Sequence, residues 1–465
     1  MAPRPVPPLL VPRATDEYAL GPPSAADRRI RAQVADAVAQ RAPHLGLSAT
    51  DYAYDRRGTA AALAALDAEA GGGFFPIDPE AESDPEAAAA AFVGDGPVVD
   101  VQTHLVDPSR WAAPSAAALA GFLAMVDPQR WAGGVDPTAI DAAAWVSLVF
   151  GTSETAVALL TSTPGPADDN VLTNPQIAAA RQVVDRYGGT GRVLTHTIVH
   201  PNLGPGELEA MERWRNDLSP SGWKCYTLYG PPTAASPTGG WFLDDEEVGL
   251  PFLERVRQLG PPVVAAHKGL GGPVPGASVA AASPRDIGPA ARAFPDVTFV
   301  VYHSGYERDP DAEEGPYPAE GPVEGVDRLV RSLAEAGIGP GGNVYAELGS
   351  TWYLMLRRPA EAAHVLGKLL VAVGPERILW GTDSIWYGSP QPLIDAFRAF
   401  EIPPSYQDRF GYPPLTAAAK ATILGINAAG VYRVDPAALR PEPRADPAWV
   451  GTASVELRRA LAGAR

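Results

Sequence analysis

Between about Val98 and Val434, apolar residues fall into short, nearly continuous runs separated by stretches of helical period. The runs are 98–103, 145–150, 193–199, 223–227, 262–267, 298–303, 344–348 and 378–382. They are rich in Val, Ile, Leu and Ala and do not alternate with polar residues, as expected of parallel strands buried on both faces. The helical stretches are 169–187, 206–216, 244–259, 285–293, 326–336, 358–373 and 391–400. This alternation predicts an α/β fold, a (β/α)8 or TIM barrel, with long loops after several strands. An open doubly wound sheet is the rival, but no G-x-G-x-x-G turn follows the first run.

The barrel segment, 96–434, is flanked by two different regions. Residues 1–95 are rich in Pro and Ala. Their first 23 positions read as irregular, because proline fixes φ and removes a donor. A helix is expected over 24–40, capped by Ser24 and carrying Ile30, Val34 and Val38 on one face. A second, over 58–70, stops at Gly71-Gly72-Gly73, and an acidic third covers 78–91. The region is expected to pack on the barrel as a helical extension; a subunit contact or a cap over the site is the alternative. Residues 435–465 are Pro-rich and then helical, and read as a short C-terminal tail forming a surface appendage.

Composition narrows the classes. The chain is 46% hydrophobic and 20% charged, which is ordinary for a soluble globular protein. A net charge of -17 speaks against sequence-independent nucleic-acid binding, which needs a basic face. Cys225 is the lone cysteine, so no disulfide can form within the chain. Prolines interrupt the first residues where a signal peptide needs an apolar helix, and no run of roughly 18 apolar residues occurs. A soluble, cytoplasmic protein without membrane partners is expected.

The candidate chemistry lies at the strand ends. Of seven histidines, five (His104, His196, His200, His267 and His303) fall in or at the end of predicted strands, and Asp383 closes the eighth run. Gln102 and His104, two apart at the end of a strand, point the same way. A single strand-end histidine is usually a satisfied core residue. Several of them with an aspartate, on different strands, are harder to explain by packing, since each buried polar group without a partner costs several kcal/mol. Imidazoles and a carboxylate are the usual donors for Zn²⁺ and related divalent ions, and a histidine beside such an ion can move protons near neutral pH. Lys224 could meet a substrate carboxylate or form an ion pair with Glu347. His200 could line the pocket or cap the Pro201 turn. Trp386, with Trp352, Tyr387 and Tyr229, offers flat rings for an unsaturated substrate or for ordinary loop packing.

Taken in order, D-x-Q-x-H at 100–104, VVAAHKG at 263–269, FVVYHSG at 299–305, ILWGTDS at 378–384 and ILGINAAGVYRV at 423–434 resemble one family. It is the amidohydrolase-related branch of the amidohydrolase superfamily, which includes aminocarboxymuconate semialdehyde decarboxylase and resorcylate-type decarboxylases. The resemblance implies a metal-dependent TIM-barrel enzyme acting on a small molecule. It implies metal ligation by Gln102, His104, His267 and Asp383, with His303 activating water or shuttling protons and Asp383 also catalytic. Asn427 lies in the segment that closes the barrel behind the last strand. One divalent ion is implied, zinc first and manganese or another as alternatives. The departure is Gln102, where the family most often has histidine. Barrels of this branch are commonly dimers, so a homodimer is one assembly the resemblance allows.

Three functions remain open on these residues. The first is hydrolysis of a small carbonyl, ester or amide compound by metal-activated water. The second is non-oxidative decarboxylation of an aromatic or unsaturated carboxylic acid. The third is a barrel that has lost its metal through Gln102 and serves as a binding subunit.

Overall fold

Each barrel strand turns one row of side chains inward and the other outward against a helix. The strands are β1 (Val98–Thr103), β2 (Thr155–Leu160), β3 (Val193–Ile198), β4 (Gly222–Tyr226), β5 (Val263–His267), β6 (Thr298–Tyr302), β7 (Val344–Glu347) and β8 (Ile378–Leu379). A computed structural model describes residues 5–13, 15, 23–112, 114–127, 130–131, 133–165, 170–272, 277–307, 309, 312–435 and 447–464. Much of the irregular stretch expected over 1–23, the expected helix start at 169 and the Pro-rich part of the tail lie outside these residues.

The strands are parallel and ordered β1 to β8 around one sheet. The ring closes where Val101 N–H donates to the Trp380 carbonyl at 3.0 Å and Asp383 N–H to the Gln102 carbonyl at 2.9 Å. Val99, Val101, Val157, Leu159, Val263, Ala265, Val300 and Leu379 fill the interior together with Tyr302 and Tyr432. Their outward neighbours Ala158, Leu160, Val264, Ala266, Phe299 and Val301 pack in the larger shell beneath the helices. This is the (β/α)8 barrel the pattern predicts.

One predicted strand is wrong. Residues 145–150 form the end of a helix, Ala142–Val146, and a wide turn, Ser147–Gly151. The buried positions there are Trp145, Val146, Val149 and Phe150, the spacing of a helical face. Asp141 starts that helix by accepting N–H bonds from Ala143 at 2.9 Å and Ala144 at 3.0 Å. The second strand is Thr155–Leu160 instead, beyond the Gly151-Thr152-Ser153 break.

The flanking regions belong to the same packed body. Helix Ala25–His44 begins with a capping box between Ser24 and Asp27, and Ile30, Val34 and Val38 are buried in the outer shell. Helix Arg56–Glu69 ends at the triple glycine, where the Asp67 carboxylate takes N–H bonds from Gly73, Phe74 and Phe75. The tail helix, Pro447–Gly463, is not a surface appendage: Ala453, Leu457 and Leu461 are buried in the structure. Among the described residues, no helix is long and apolar enough to cross a membrane.

Candidate active site

The C-terminal ends of β6, β7 and β8 turn sharply. His303 (φ 65), Ser304 (φ 53), Ser350 (φ 54) and Asp383 (φ 57) all have left-handed backbone without being glycine. Each such residue costs roughly 1–3 kcal/mol, and strain of this kind gathers at functional sites. The side chains of His303, Ser350 and Asp383 at these turns are buried, and Asp383 meets the end of β1 at Gln102 and His104.

Asp383 is the hub. Its Oδ1 accepts from Gln102 Nε2 at 3.1 Å and lies 3.0 Å from His104 Nε2. Its Oδ2 accepts from the Ser350 hydroxyl, which is 2.5 Å from Tyr387 Oη. The orientation of the Gln102 amide follows from this carboxylate, which can receive only the NH₂ end. Gln102 Oε1 is thereby turned toward Gly349, where a β-carbon would lie 2.1 Å from it. Gly381 is equally confined: a β-carbon there would lie 1.7 Å from Glu347 Oε1.

His267 and His303 form a second group, with ring centroids 4.7 Å apart. His303 Nδ1 bonds to the Gly349 carbonyl at 2.6 Å and His267 Nε2 to the Gly269 carbonyl at 2.9 Å. A carbonyl oxygen only accepts, so these ring nitrogens carry the protons. The basic nitrogens of the neutral rings are then Nε2 of His303 and Nδ1 of His267.

Two further carboxyls lie beneath. Glu347 accepts from His303 N–H at 3.0 Å and Gly349 N–H at 2.6 Å. Asp100 accepts from Gln102 N–H at 3.2 Å and Thr382 N–H at 3.0 Å. Burial pushes both up to about 7 against the pull of these donors. Lys224 lies over aromatic faces, 3.5 Å from the Tyr302 ring centre and 4.4 Å from that of Tyr226. His200 is buried beside the end of β3, and burial holds its imidazole down to about 4. The Trp386 ring stacks on His104 with centroids 6.4 Å apart. Asn427 donates to the Pro375 and Ile378 carbonyls at the foot of β8. Sequence reasoning missed Ser350 and Asp100. A small Gly349-Ser350-Thr351 step directly after a strand was the available signal for Ser350.

His104 is fully buried, yet among the described residues neither ring nitrogen has a hydrogen-bond partner, because the approach to Asp383 lacks hydrogen-bond geometry. Such burial is costly unless something else engages the ring. An imidazole and a carboxylate 3.0 Å apart, with the ring otherwise unengaged among the described residues, are donors of the kind that hold a divalent ion. Among the described residues, no three His, Cys, Asp or Glu side chains converge as a finished ligand set. His267 stands with His303, and Gln102 is engaged with Asp383.

The sequence profile of the amidohydrolase family matches residues 99–434. The chain belongs to the amidohydrolase family, and it is an enzyme of that superfamily. No protein of curated function matches it in sequence. Several solved structures are similar. A dihydroxybenzoic acid decarboxylase of Polaromonas sp. JS666, with bound manganese and 2-nitroresorcinol, is 15% identical over 73% of this chain and 98% of its own, with a TM-score of 0.43. A 5-carboxyvanillate decarboxylase of Sphingomonas paucimobilis is 13% identical over 73% and 100%, with a TM-score of 0.42. A protein of Pseudomonas putida assigned as a 2-pyrone-4,6-dicarboxylic acid hydrolase is 16% identical over 73% and 98%, with a TM-score of 0.42.

Proposed function

We propose that this enzyme is a metal-dependent hydrolase of small organic carbonyl, ester or amide compounds. The observation that supports this reading most directly is the bond from His303 Nδ1 to the Gly349 carbonyl, which leaves Nε2 as the basic nitrogen of a fully buried ring. A general base needs that tautomer. A divalent ion, zinc or manganese, would supply Lewis-acid polarisation of the substrate and acidify a water. His104 and Asp383 would hold it, with His267 reaching through Nδ1 as the further protein ligand. Gln102 donates to Asp383 Oδ1 and, with the Ser350 hydroxyl on Oδ2, fixes the plane of that carboxylate. His303 takes the proton of the attacking water and returns it to the leaving group. Lys224, His200, Glu347 and Trp386 are proposed to shape the substrate pocket.

A second reading is non-oxidative decarboxylation, in which protonated His303 donates to the ring carbon as CO₂ leaves. The flat, buried Trp386 ring stacked on His104 is the observation in its favour, since it suits a planar aromatic acid. Metal analysis and parallel assays of His303→Asn decide the matter. The variant should keep its metal and lose about 10²–10⁴-fold in turnover. Retained turnover would remove His303 as the proton carrier, and a protein that neither carries nor takes up a divalent ion would leave the metal-free binding subunit. CO₂ release from aromatic acids, with no hydrolysis of esters, amides or lactones, would replace the first reading by the second.

A further inference from the structure

A cavity of about 580 Å³ lies between the N-terminal region and the turn that follows β8. This is within the size range of small-molecule sites, roughly 300–1,000 Å³. Its apolar wall includes Pro8, Val11, Leu148, Trp386 and Pro392. None of Gln102, His104, His267, His303, Glu347 or Asp383 lines it. It borders the candidate active site at Trp386, which stacks on His104, and at Tyr387, whose hydroxyl is 2.5 Å from that of Ser350.

Three arginines line the cavity, and two of them are committed. Arg56 is held by Asp395, with 3.2 Å bonds from both Nε and Nη2, and by Glu154. Arg13 pairs with Asp127 at 3.3 Å. Arg130 has no carboxylate within ion-pair distance among the described residues. It donates one Nη1 bond, 2.9 Å, to the Trp386 carbonyl, and its guanidinium lies 4.4 Å from the centre of the Trp131 ring. Burial and the neighbouring positive charge of Arg13 bring Arg130 down to about 10. The Asp55 and Asp395 carboxylates that also line the cavity are paired with Arg57 and Arg56, which leaves the Arg130 guanidinium to be matched by a planar oxyanion that can take two parallel N–H bonds.

We propose that this cavity is a second ligand site, which binds a small organic monocarboxylate with an apolar body through Arg130. One available guanidinium matches one carboxylate, and the apolar wall matches a hydrocarbon or aromatic body better than a phosphate. The ligand's carboxylate faces Arg130 beside the Trp386 carbonyl, and its body lies among Pro8, Val11, Leu148 and Pro392.

The test is calorimetric titration of the full-length protein with benzoate. Arg130→Met should weaken binding by about tenfold or more, the loss expected for a charge-assisted contact. Leu148→Trp, which fills the chamber and leaves Arg130 in place, should weaken it as well. His104→Ala, at the candidate metal pair, should leave it unchanged. A near-ultraviolet circular dichroism spectrum checks that each variant is folded. If the first two variants bind as the wild type does, if only His104→Ala abolishes binding, or if the wild type shows none at millimolar benzoate, the site is refuted.

Discussion

The two ends of the barrel engage their side chains differently. At the foot, two asparagine amides donate to backbone carbonyls. Asn427 donates to the Pro375 and Ile378 carbonyls at 2.8 and 2.7 Å, and Asn343 donates to those of Ala291, Phe294 and Val297 within 3.1 Å. At the mouth, among the described residues, His104 is buried with neither ring nitrogen in a hydrogen bond, and Gln102 Oε1 has no partner. Among the described residues, five non-glycine positions there hold left-handed backbone: Leu270, His303, Ser304, Ser350 and Asp383. The foot uses polar side chains to finish the hydrogen-bonding of the strands. The mouth keeps donors uncommitted on a strained frame, as expected where a barrel does chemistry.

Substitutions at the two ends should separate these roles. The largest contrast pairs His303→Asn, which should remove turnover while sparing metal and fold, with Asn427→Ala. The latter strands two carbonyls and should cost about 1–3 kcal/mol of stability. It should appear as a lowered unfolding temperature with unchanged metal content; an unchanged melt would show that the foot is not held by this amide.

A smaller effect is expected in the pH dependence of stability. His196, inside the barrel, is held down to about 3 by burial and by Lys224. An unfolded histidine titrates near 6.5. Below that pH the unfolded chain binds a proton that the folded one refuses. The contribution of His196 to stability is therefore intact above 6.5 and is lost progressively as the pH falls toward 3. His196→Met should lose less stability than the wild type between neutral pH and pH 4, read from denaturant midpoints. Equal losses would show that His196 does not titrate in this way.

The smallest change expected is at the exposed Arg433, where the helix Asn427–Tyr432 ends with φ 55. Arg433→Gly should stabilise by about 1 kcal/mol, since glycine adopts that backbone without the steric cost. A lower melting temperature would mean that the Arg433 side chain contributes more than the strain takes away.

Much of the barrel was legible because seven of its strands are short apolar runs ending in recognisable punctuation. The exception was 145–150, where Trp145, Val146, Val149 and Phe150 fit a helical face as well as a strand, and the Asp141 cap decided the matter. At the site, the side chains that strand ends present were readable: Gln102, His104, His267, His303 and Asp383. What could not be read was their grouping. That His104 and Asp383 form one cluster and His267 and His303 another depends on the turns after β6 and β8, set by backbone angles that residue types do not reveal. The Gln102 contact with Asp383 also escaped, because an amide two residues before His104 reads equally well as ligand or as brace.

The helix Pro447–Gly463 also sets an order of assembly. Arg458 meets Asp141 across 317 residues at 2.7 Å, and the Leu461 carbonyl takes a bond from Gln176 Nε2 across 285 at 2.9 Å. Both contacts join this helix to the segments that flank β2. At about 5–20 residues per second, such a separation corresponds to roughly 15–60 s of synthesis. During that interval the first quarter of the barrel lacks part of its outer wall on the ribosome. The quadrant laid down earliest is therefore completed among the latest, which makes it the place where a chaperone would have most to shield.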